Sequence, residues 1–228
     1  MANRFLVFDL DGTLLYTLPS ILWALNQTLA PYGKGGLSLS QCRAFVGEGS
    51  GVLIHRSLAE LGLLSLGPEK EKEILKTYNE AYLASPFEGT SPYPGMRSLI
   101  KERKEKGDQL GVFSNKPDFI CRPILRHFFP EDPFDFIRGA QEGKPKKPEP
   151  SGLFEMMEEM GQEKQTTLYI GDSLVDARLG KAAGVRTFLV SYGYQDREPL
   201  EKTGFLLLDS VEELGKALRE SEQKRNEK

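Results

Sequence analysis

The sequence predicts an α/β protein in which a parallel sheet core is interrupted by one inserted helical segment. Short apolar runs bounded by polar or turn residues recur along the chain and are typical of buried strands. Helical patterns separate most of these runs, and such alternation favours a parallel sheet. One block, residues 16–90, has helical spacing and no convincing strand. Residues 1–15 and 91–228 are therefore expected to form a core domain, with 16–90 as a separate helical domain.

The core strands are predicted from their apolar composition and from the residues that end them. The first lies at residues 5–8 and is stopped by Asp9 and by the Asp11-Gly12 dipeptide. Further strands are predicted at 109–113, 167–170 and 186–190, with weaker ones at 134–137 and 205–208 as the edges of the sheet.

Composition and charge limit the class of protein. The chain has 228 residues, of which 39% are hydrophobic and 28% charged, values typical of a globular protein rather than a disordered or membrane protein. Thirty basic and thirty-three acidic residues give a net charge of -3, so the chain lacks the overall positive field of most duplex-binding proteins. Neither nucleic acid nor a membrane is expected as a partner.

A cytoplasmic location is expected from two features of the sequence. The first apolar stretch meets Asp9 too soon to form a signal peptide or a membrane-spanning helix. The two cysteines, Cys42 and Cys121, form neither a C-x-x-C pair nor a disulfide framework, which fits a reducing compartment.

Two carboxylates follow the first strand, in the order Asp9-Leu10-Asp11-Gly12-Thr13. Ligands of open parallel sheets bind outside the carboxyl ends of the strands, so paired acids at this place indicate catalysis. One carboxylate can attack as a nucleophile or bind a metal while the other exchanges a proton. An ordinary Asp-Gly turn is the alternative, but D-x-D-G-T is expected by chance in only about one chain in several hundred of this length.

Two polar segments further along the chain are candidates for binding phosphate. A predicted core strand ends in Ser114-Asn115-Lys116, where a hydroxyl and an amide can donate hydrogen bonds, although both also suit an ordinary turn or helix cap. Lys147 lies on a stretch stiffened by two prolines and would be a fixed positive charge. The alternative for Lys147 is a solvated basic loop.

A third strand end carries further acids, in the segment Gly171-Asp172-Ser173 and at Asp176. Mg²⁺ prefers a few hard oxygen ligands together with water and substrate phosphate, so the two acids of the first strand and Asp172 would suffice without histidine or cysteine. The structural alternative makes Asp172 or Ser173 the N-cap of the following helix.

Taken in order, these segments resemble the four motifs of the haloacid dehalogenase superfamily. The resemblance covers essentially the whole chain and implies a Rossmann-like core, with residues 16–90 similar to the superfamily's α-helical cap. The cap segment 45–49 and the segment 114–117 look most like the phosphoglycolate phosphatase subgroup. The matching residues are Asp9-x-Asp11-Gly12-Thr13, Ser114-Asn115-Lys116, Lys147-Pro148-x-Pro150 and Gly171-Asp172-Ser173-x-x-Asp176.

The resemblance implies catalytic and phosphate-binding roles. Asp9 would attack phosphorus, and Asp11 would protonate the leaving oxygen and then activate water against the aspartyl-phosphate. Ser114 and Lys147 would bind the phosphoryl oxygens, with Asn115 at the edge of this phosphate-binding site. Such an arrangement suits phosphoryl transfer, which depends mainly on positioning and on neutralising the charge of the equatorial oxygens.

The resemblance also implies a metal site and a selective cap. Asp9, the backbone carbonyl of Asp11, and Asp172 would bind Mg²⁺, with Asp176 supporting them. In the cap, Arg56 is a candidate to grip a substrate carboxylate in bidentate fashion. An exposed charge on a helix face is the alternative for Arg56.

The expected function is Mg²⁺-dependent hydrolysis of a small phosphorylated metabolite, with 2-phosphoglycolate as a candidate substrate. A phosphomutase shares the same motifs and differs in cap geometry. A haloacid dehalogenase acting on carbon would not need Asp11 as an acid. A catalytically silent binding protein is disfavoured because every proposed catalytic residue is present. Monomer and homodimer both stay open.

Overall fold

The computed structural model describes residues 4–33, 35–85 and 87–226. Its main sheet has six strands, all parallel, in the order β5-β4-β1-β6-β7-β8. The predicted α/β core is confirmed, and the two weaker strands lie at the edges of the sheet as expected. The strands are β1 (Phe5–Phe8), β4 (Gln109–Pro117), β5 (Phe136–Ala140), β6 (Thr167–Gly171), β7 (Arg186–Val190) and β8 (Leu206–Leu208).

Helices cover both faces of this sheet. All four residues of β1 are buried, as expected for a central parallel strand, and alternate residues face opposite sides. Leu6 and Phe8 belong to the larger apolar cluster, whereas Phe5 and Val7 pack in a second cluster against Leu153 and other residues. The helices after the inserted block are α5 (Met96–Glu105), α6 (Asp118–Phe128), α7 (Ser151–Glu159), α8 (Leu174–Ala183), α9 (Arg197–Glu201) and α10 (Val211–Asn226).

The inserted block between β1 and α5 is helical, as predicted. It contains α1 (Leu18–Leu29), α2 (Leu39–Phe45), α3 (Ser50–Glu60) and α4 (Pro68–Ala84), with short 3-10 turns at Ala30–Tyr32 and Leu64–Leu66. Its buried side chains join the larger core cluster, among them Ile21, Leu53, Ile74, Tyr78 and Tyr82.

Two features of the fold differ from the prediction. A two-stranded antiparallel ribbon, β2 (Leu15–Tyr16) with β3 (Ser91–Pro92), lies at both ends of the inserted block. Strands of two residues are too short to show a period in the sequence, so the ribbon was missed. In addition, β4 runs on past the predicted residue 113 to Pro117, with a shift of register against β5 between Phe113 and Pro117.

In the part of the chain that the structure describes, none of the helices combines the length and the apolar composition required to cross a membrane.

Candidate active site

Parallel register brings the predicted acids to one edge of the sheet. Phe8 at the end of β1 lies opposite Ile170 of β6 and Val112 of β4. Asp9 and Asp172 therefore follow neighbouring strand ends. Their carboxylate oxygens and one of Asp176 lie within 4.8 Å of one another, and all three residues are buried.

Lys147 is the cation of this cluster. Its Nζ lies 2.8 Å from Asp9 Oδ1 and 2.9 Å from Asp176 Oδ1. The ammonium also donates to the hydroxyl of Tyr169 at 3.0 Å. Because the side chain is only 1% exposed, its charge is directed at these partners with little screening by water. The alternative of a solvated basic loop is wrong for Lys147.

Asp176 is fully engaged by the protein. One oxygen accepts from Lys147 and, at 2.8 Å, from the Tyr169 hydroxyl. The other accepts from the Ser173 hydroxyl at 2.6 Å and from the Ser173 backbone N–H at 3.0 Å, in a capping box at the start of α8. Ser173 is thus the N-cap, and Asp176 both caps the helix and anchors Lys147.

Asp172 lies in a narrow space between two glycines. Its Oδ2 accepts from the backbone N–H of Tyr194 at 2.7 Å, and its Oδ1 accepts from the Thr13 hydroxyl at 3.2 Å. A Cβ on Gly12 or on Gly193 would come within 2.3 Å of Asp172 Oδ2. Gly12 also has a φ of 84°, so both the turn and the approach of Asp172 require glycine there.

The acids carry more negative charge than their surroundings neutralise. Burial, reinforced by the charge of Asp176, raises the pKa of Asp9 to about 7 although Lys147 opposes the rise. Burial and the charges of Asp176 and Asp9 likewise raise the pKa of Asp172 well above its usual range. Burial alone would lower the pKa of Lys147, but Asp176 and Asp9 outweigh it and raise that pKa.

Asp11 lies beside this cluster and has partners of its own. Lys116 Nζ is 3.1 Å and 3.2 Å from its two carboxylate oxygens, and the Thr17 hydroxyl donates to Oδ1 at 2.5 Å. The Lys116 ammonium also lies over the ring of Tyr82, 4.1 Å from the centroid. The Tyr194 hydroxyl accepts from the Thr17 backbone N–H at 2.6 Å. Thr17 thereby links Asp11 to the loop that also holds Asp172.

Ser114 and Asn115 both lie next to Asp9 but differ in what they can donate. Ser114 Oγ accepts from the Lys116 N–H at 3.2 Å, which leaves its own proton available for a ligand. Asn115 is buried, and its amide donates to the carbonyls of Gly47 at 3.2 Å and Lys147 at 3.1 Å, while its oxygen accepts from the Lys147 N–H. The contacts of Asn115 favour a role in joining the Lys147 loop to the cap.

Arg56 is the predicted site residue that the structure does not bring to the acids. Its guanidinium pairs with Glu48 at 2.6 Å, and it borders a surface hollow with Phe45, Ala59 and Glu60. Arg43 is the arginine of the cap that lines the cleft leading to Asp9 and Asp11, a cleft of about 1180 Å³. Arg43 Nε donates to the Tyr194 carbonyl at 2.7 Å, and its guanidinium pairs with Asp196.

A second, smaller cavity lies between the inserted helices and the strand ends. It has a volume of about 40 Å³ and includes Asp9, Asp11, Ser114 and Lys116 in its lining. The inserted helices contribute Gly47, Gly49, Ser50, Tyr78 and Tyr82. Asp9 and Asp11 therefore line both spaces, the large cleft and this smaller cavity.

Several residues of the site were not identified from the sequence. Lys116 belongs to the Ser114-Asn115-Lys116 segment, but a single lysine at a strand end carries no sign that it will face Asp11. Thr17 and Tyr194 meet across 177 positions of the chain, and no local pattern marks such a contact. Tyr169, which bonds Asp176, looks in the sequence like any apolar residue of a buried strand.

The acidic cluster fits a divalent cation. Asp9 and Asp172 are buried, close together and short of positive charge, as their raised pKa values show. Carboxylate oxygens are the ligands that hard divalent cations prefer. Each oxygen of Asp176 already accepts two hydrogen bonds, one of them from the Lys147 ammonium. Among the described residues, Asp172 accepts only one uncharged donor on each oxygen, so Asp9 and Asp172 are the better placed carboxylates to bind a metal.

The chain thus combines a parallel α/β sheet with aspartates at two strand ends, a buried lysine and a helical insertion. The chain belongs to the haloacid dehalogenase-like hydrolase family, whose family model matches residues 6–190.

The chain is similar to several proteins named as phosphatases. Phosphoglycolate phosphatase of Rhodospirillum rubrum is 35% identical over 213 residues, which cover 92% of this chain and 88% of the relative. Phosphoglycolate phosphatase of Cereibacter sphaeroides is 36% identical over 83% of this chain and 85% of the relative. The crystal structure of CbbY from Rhodobacter sphaeroides in complex with phosphate superposes with a TM-score of 0.79 at 26% identity, covering 94% of this chain and 97% of CbbY. The chain is a phosphoric monoester hydrolase.

Proposed function

We propose that the protein is a Mg²⁺-dependent phosphatase that hydrolyses 2-phosphoglycolate through an aspartyl-phosphate on Asp9. The observation that carries the proposal is the buried cluster of Asp9, Asp172 and Asp176 around Lys147. The names of the relatives support the substrate, since the chain aligns with phosphoglycolate phosphatases over most of both lengths. It would act in the cytoplasm, as a monomer or a homodimer, on a small phosphorylated metabolite.

In the first half of the reaction, a carboxylate oxygen of Asp9 attacks phosphorus and the bond to the leaving oxygen breaks. Asp11 gives its proton to that oxygen, so the product leaves as an alcohol. Lys147, held by Asp176, and the free hydroxyl proton of Ser114 face the phosphoryl oxygens. Because both side chains are held by the protein beforehand, they stabilise the charge without reorganising.

In the second half, Asp11 takes a proton from water, and the oxygen of that water attacks phosphorus. The bond between phosphorus and Asp9 then breaks, which releases inorganic phosphate and restores both carboxyl groups. Asp9 and Asp172, with the backbone carbonyl of Asp11, would hold Mg²⁺. The metal supplies positive charge against the phosphoryl oxygens and keeps Asp9 ionised.

The inserted helices act in this proposal as a cap made of residues 16–90. The two-residue strands Leu15–Tyr16 and Ser91–Pro92 are the places where the chain enters and leaves it. Asn115 donates to the Gly47 carbonyl, which joins the cap to the phosphate side of the site. A cap that closes on the core excludes water while the leaving group departs.

A direct test is phosphate release from 2-phosphoglycolate and from p-nitrophenyl phosphate. The proposal expects turnover with Mg²⁺, none with excess EDTA, and recovery when Mg²⁺ is restored. Turnover that continues at full rate in EDTA would refute the metal dependence. A phosphomutase would return phosphate to the organic product, so one inorganic phosphate for each leaving group excludes it.

The role of Asp11 is tested with Asp11→Asn. With p-nitrophenyl phosphate, whose leaving group needs no proton, the variant is expected to form the aspartyl-phosphate but hydrolyse it slowly. Intact mass spectrometry would then show a phosphorylated chain. Unchanged turnover of alkyl phosphates by Asp11→Asn would rule out the acid role.

A further inference from the structure

We propose that Lys116 selects substrates whose leaving group carries a carboxylate, which it binds inside the small cavity beside Asp9. This inference rests on the proposed function and adds the residue that recognises the substrate class. It replaces the sequence-based hypothesis that Arg56 binds such a carboxylate.

The position of Lys116 is the first observation. Lys116 lies near the end of β4 and is the one basic residue in the lining of the cavity, as far as the described chain shows. Its side chain is only 6% exposed. A buried ammonium attracts an anion strongly, because little water is present to screen the charge.

The contacts of Lys116 leave capacity for a ligand. Asp11 is its carboxylate partner within the described ranges, at 3.1 Å and 3.2 Å from the two oxygens. Tyr82 presents the face of its ring from the cap, 4.1 Å from the ammonium. The ammonium also makes a side-chain hydrogen bond to Tyr82. Since Asp11 and Tyr82 both line the cavity, a carboxylate that enters it meets the ammonium and can share its three protons with them.

The place of the leaving group follows from Asp11. The leaving oxygen must come within hydrogen-bond distance of the Asp11 carboxyl in order to receive its proton. In 2-phosphoglycolate the carboxylate carbon is two bonds from that oxygen. Lys116 Nζ is itself 3.1 Å from the Asp11 carboxylate. A substrate carboxylate two bonds from the leaving oxygen therefore lies close enough to Lys116 to bind it.

The size of the cavity suits such a leaving group. Its volume of about 40 Å³ corresponds to roughly three water molecules, since one water needs about 10–15 Å³ on this measure. A two-carbon acid fits a space of this size, whereas a larger group would have to extend into the adjoining cleft, which shares Asp9 and Asp11 with the cavity. The cavity therefore favours a leaving group that is both small and anionic.

The two other candidate cations have partners elsewhere. Arg56 pairs with Glu48 and borders a different surface hollow. Arg43 lines the open cleft, but its side chain is 43% exposed and pairs with Asp196. Charges at exposed positions are screened and contribute little.

The test compares two substrates of equal chain length, 2-phosphoglycolate and 2-hydroxyethyl phosphate, which has an uncharged CH2OH group in place of the carboxylate. The measured quantity is the ratio of their kcat/KM values. If a substitution of Lys116 also disturbs Asp9 or Asp11, the disturbance affects the turnover of both substrates and cancels in this ratio. Lys116→Met is expected to lower the ratio about 10- to 100-fold. Lys116→Arg keeps the positive charge and is expected to lower the ratio less than Lys116→Met does.

The outcomes separate this inference from the function on which it rests. Wild-type protein that hydrolyses no phosphomonoester would refute the proposed function. Wild-type turnover of both substrates with a ratio near one would overturn the role of Lys116 alone, even if Lys116→Met failed to fold. A ratio that falls in Arg43→Met or Arg56→Met and not in Lys116→Met would place the carboxylate in the cap and overturn the assignment as well.

Discussion

The two edges of the sheet both bury charged groups, but only one edge balances them. At the amino edge, Arg4 makes two hydrogen bonds to Asp108, at 3.0 Å and 2.7 Å, and Arg103 lies 3.1 Å from Glu222. Arg4 also donates to the Leu218 carbonyl at 2.8 Å. Arg103 also pairs with Glu102, which pairs in turn with Arg219, so three arginines meet three acids.

At the carboxyl edge, three aspartates meet one lysine. Lys147 pairs with Asp9 and Asp176, while Asp172 lies beside them without a direct contact to Lys147, and the pKa values of Asp9 and Asp172 are raised. Such an excess of negative charge costs stability, because buried charges need partners. The balanced edge therefore stabilises the fold, whereas the unbalanced edge is suited to binding a cation and a phosphate.

The largest expected effect is on catalysis at the unbalanced edge. Asp9→Asn should lower phosphate release by at least about 10³-fold, as expected when a nucleophile is removed. The thermal midpoint without metal should stay equal or rise, because one excess buried charge is gone. Activity assays paired with thermal denaturation check both, and near-normal turnover would refute Asp9 as the nucleophile.

Breaking the balanced edge should have the opposite pattern. In the described part of the chain, Asp108→Ala leaves the buried Arg4 with only the more distant carboxylate of Glu222, at 3.8 Å. Loss of one partner of a buried pair costs about 3–5 kcal/mol in the free energy of unfolding. Urea denaturation measures this loss, while kcat/KM at low temperature should stay close to that of the wild type.

Glu198→Ala is the control for Asp108→Ala. It removes one partner of the Lys202–Glu198 pair, whose side chains are 71% and 77% exposed, and should barely change stability. Equal effects of the two substitutions would contradict the distinction between buried and exposed pairs.

A smaller effect is expected from crowding Asp172. Gly12→Ala would bring a Cβ to 2.3 Å from Asp172 Oδ2, which should displace the carboxylate and weaken metal affinity about 10- to 100-fold. Gly204→Ala is the matched control, since Gly204 has a similar φ of 78° with nothing within 4 Å of the added atom. Titration with Mg²⁺ distinguishes them, and equal affinities in the two variants would show that the contact does not matter.

The smallest effect is a dependence of stability on pH without metal. Asp9 binds its proton more tightly in the folded chain, because its pKa rises from 3.8 to about 7. Its stabilising contribution is present below about pH 4 and is lost as the pH rises through about 7. The contribution falls by about 2.5 kcal/mol between pH 5 and 7.5. In EDTA the thermal midpoint should therefore fall by about 5–10 °C over this range, at about 2–4 °C per kcal/mol. In Asp9→Asn the thermal midpoint should fall less over this pH range. An equally steep fall in the variant would show that other titrating groups cause the pH dependence.

The sequence predicted the parts of the molecule that depend on local patterns. Strands buried on both faces are continuous apolar runs, so β1, β6 and β7 were located within a residue. The acids of the candidate site were found because Asp9 and Asp172 follow those runs directly. The edge strand β5 begins two residues and ends three residues later than predicted, because Arg138 and Gly139 interrupt its apolar run.

The remaining features depend on contacts between distant parts of the chain. Lys116 meets Asp11 across 105 positions, and Tyr194 meets Asp172 across 22. Arg56 has the spacing of a helical surface residue, and sequence alone does not show that it turns toward Glu48. Charged residues at a strand end predict that a site exists there. Which of these residues pair with one another is determined by the three-dimensional fold and cannot be read from the local sequence.

Calorimetric titration of Mg²⁺ into the wild type and Asp172→Asn tests the central claim most directly, with Glu198→Ala as the control. The account predicts saturable binding of one ion per chain in the wild type and in Glu198→Ala, and its loss in Asp172→Asn. Binding of equal strength and stoichiometry in Asp172→Asn would contradict the claim that the excess charge at the carboxyl edge is a cation site.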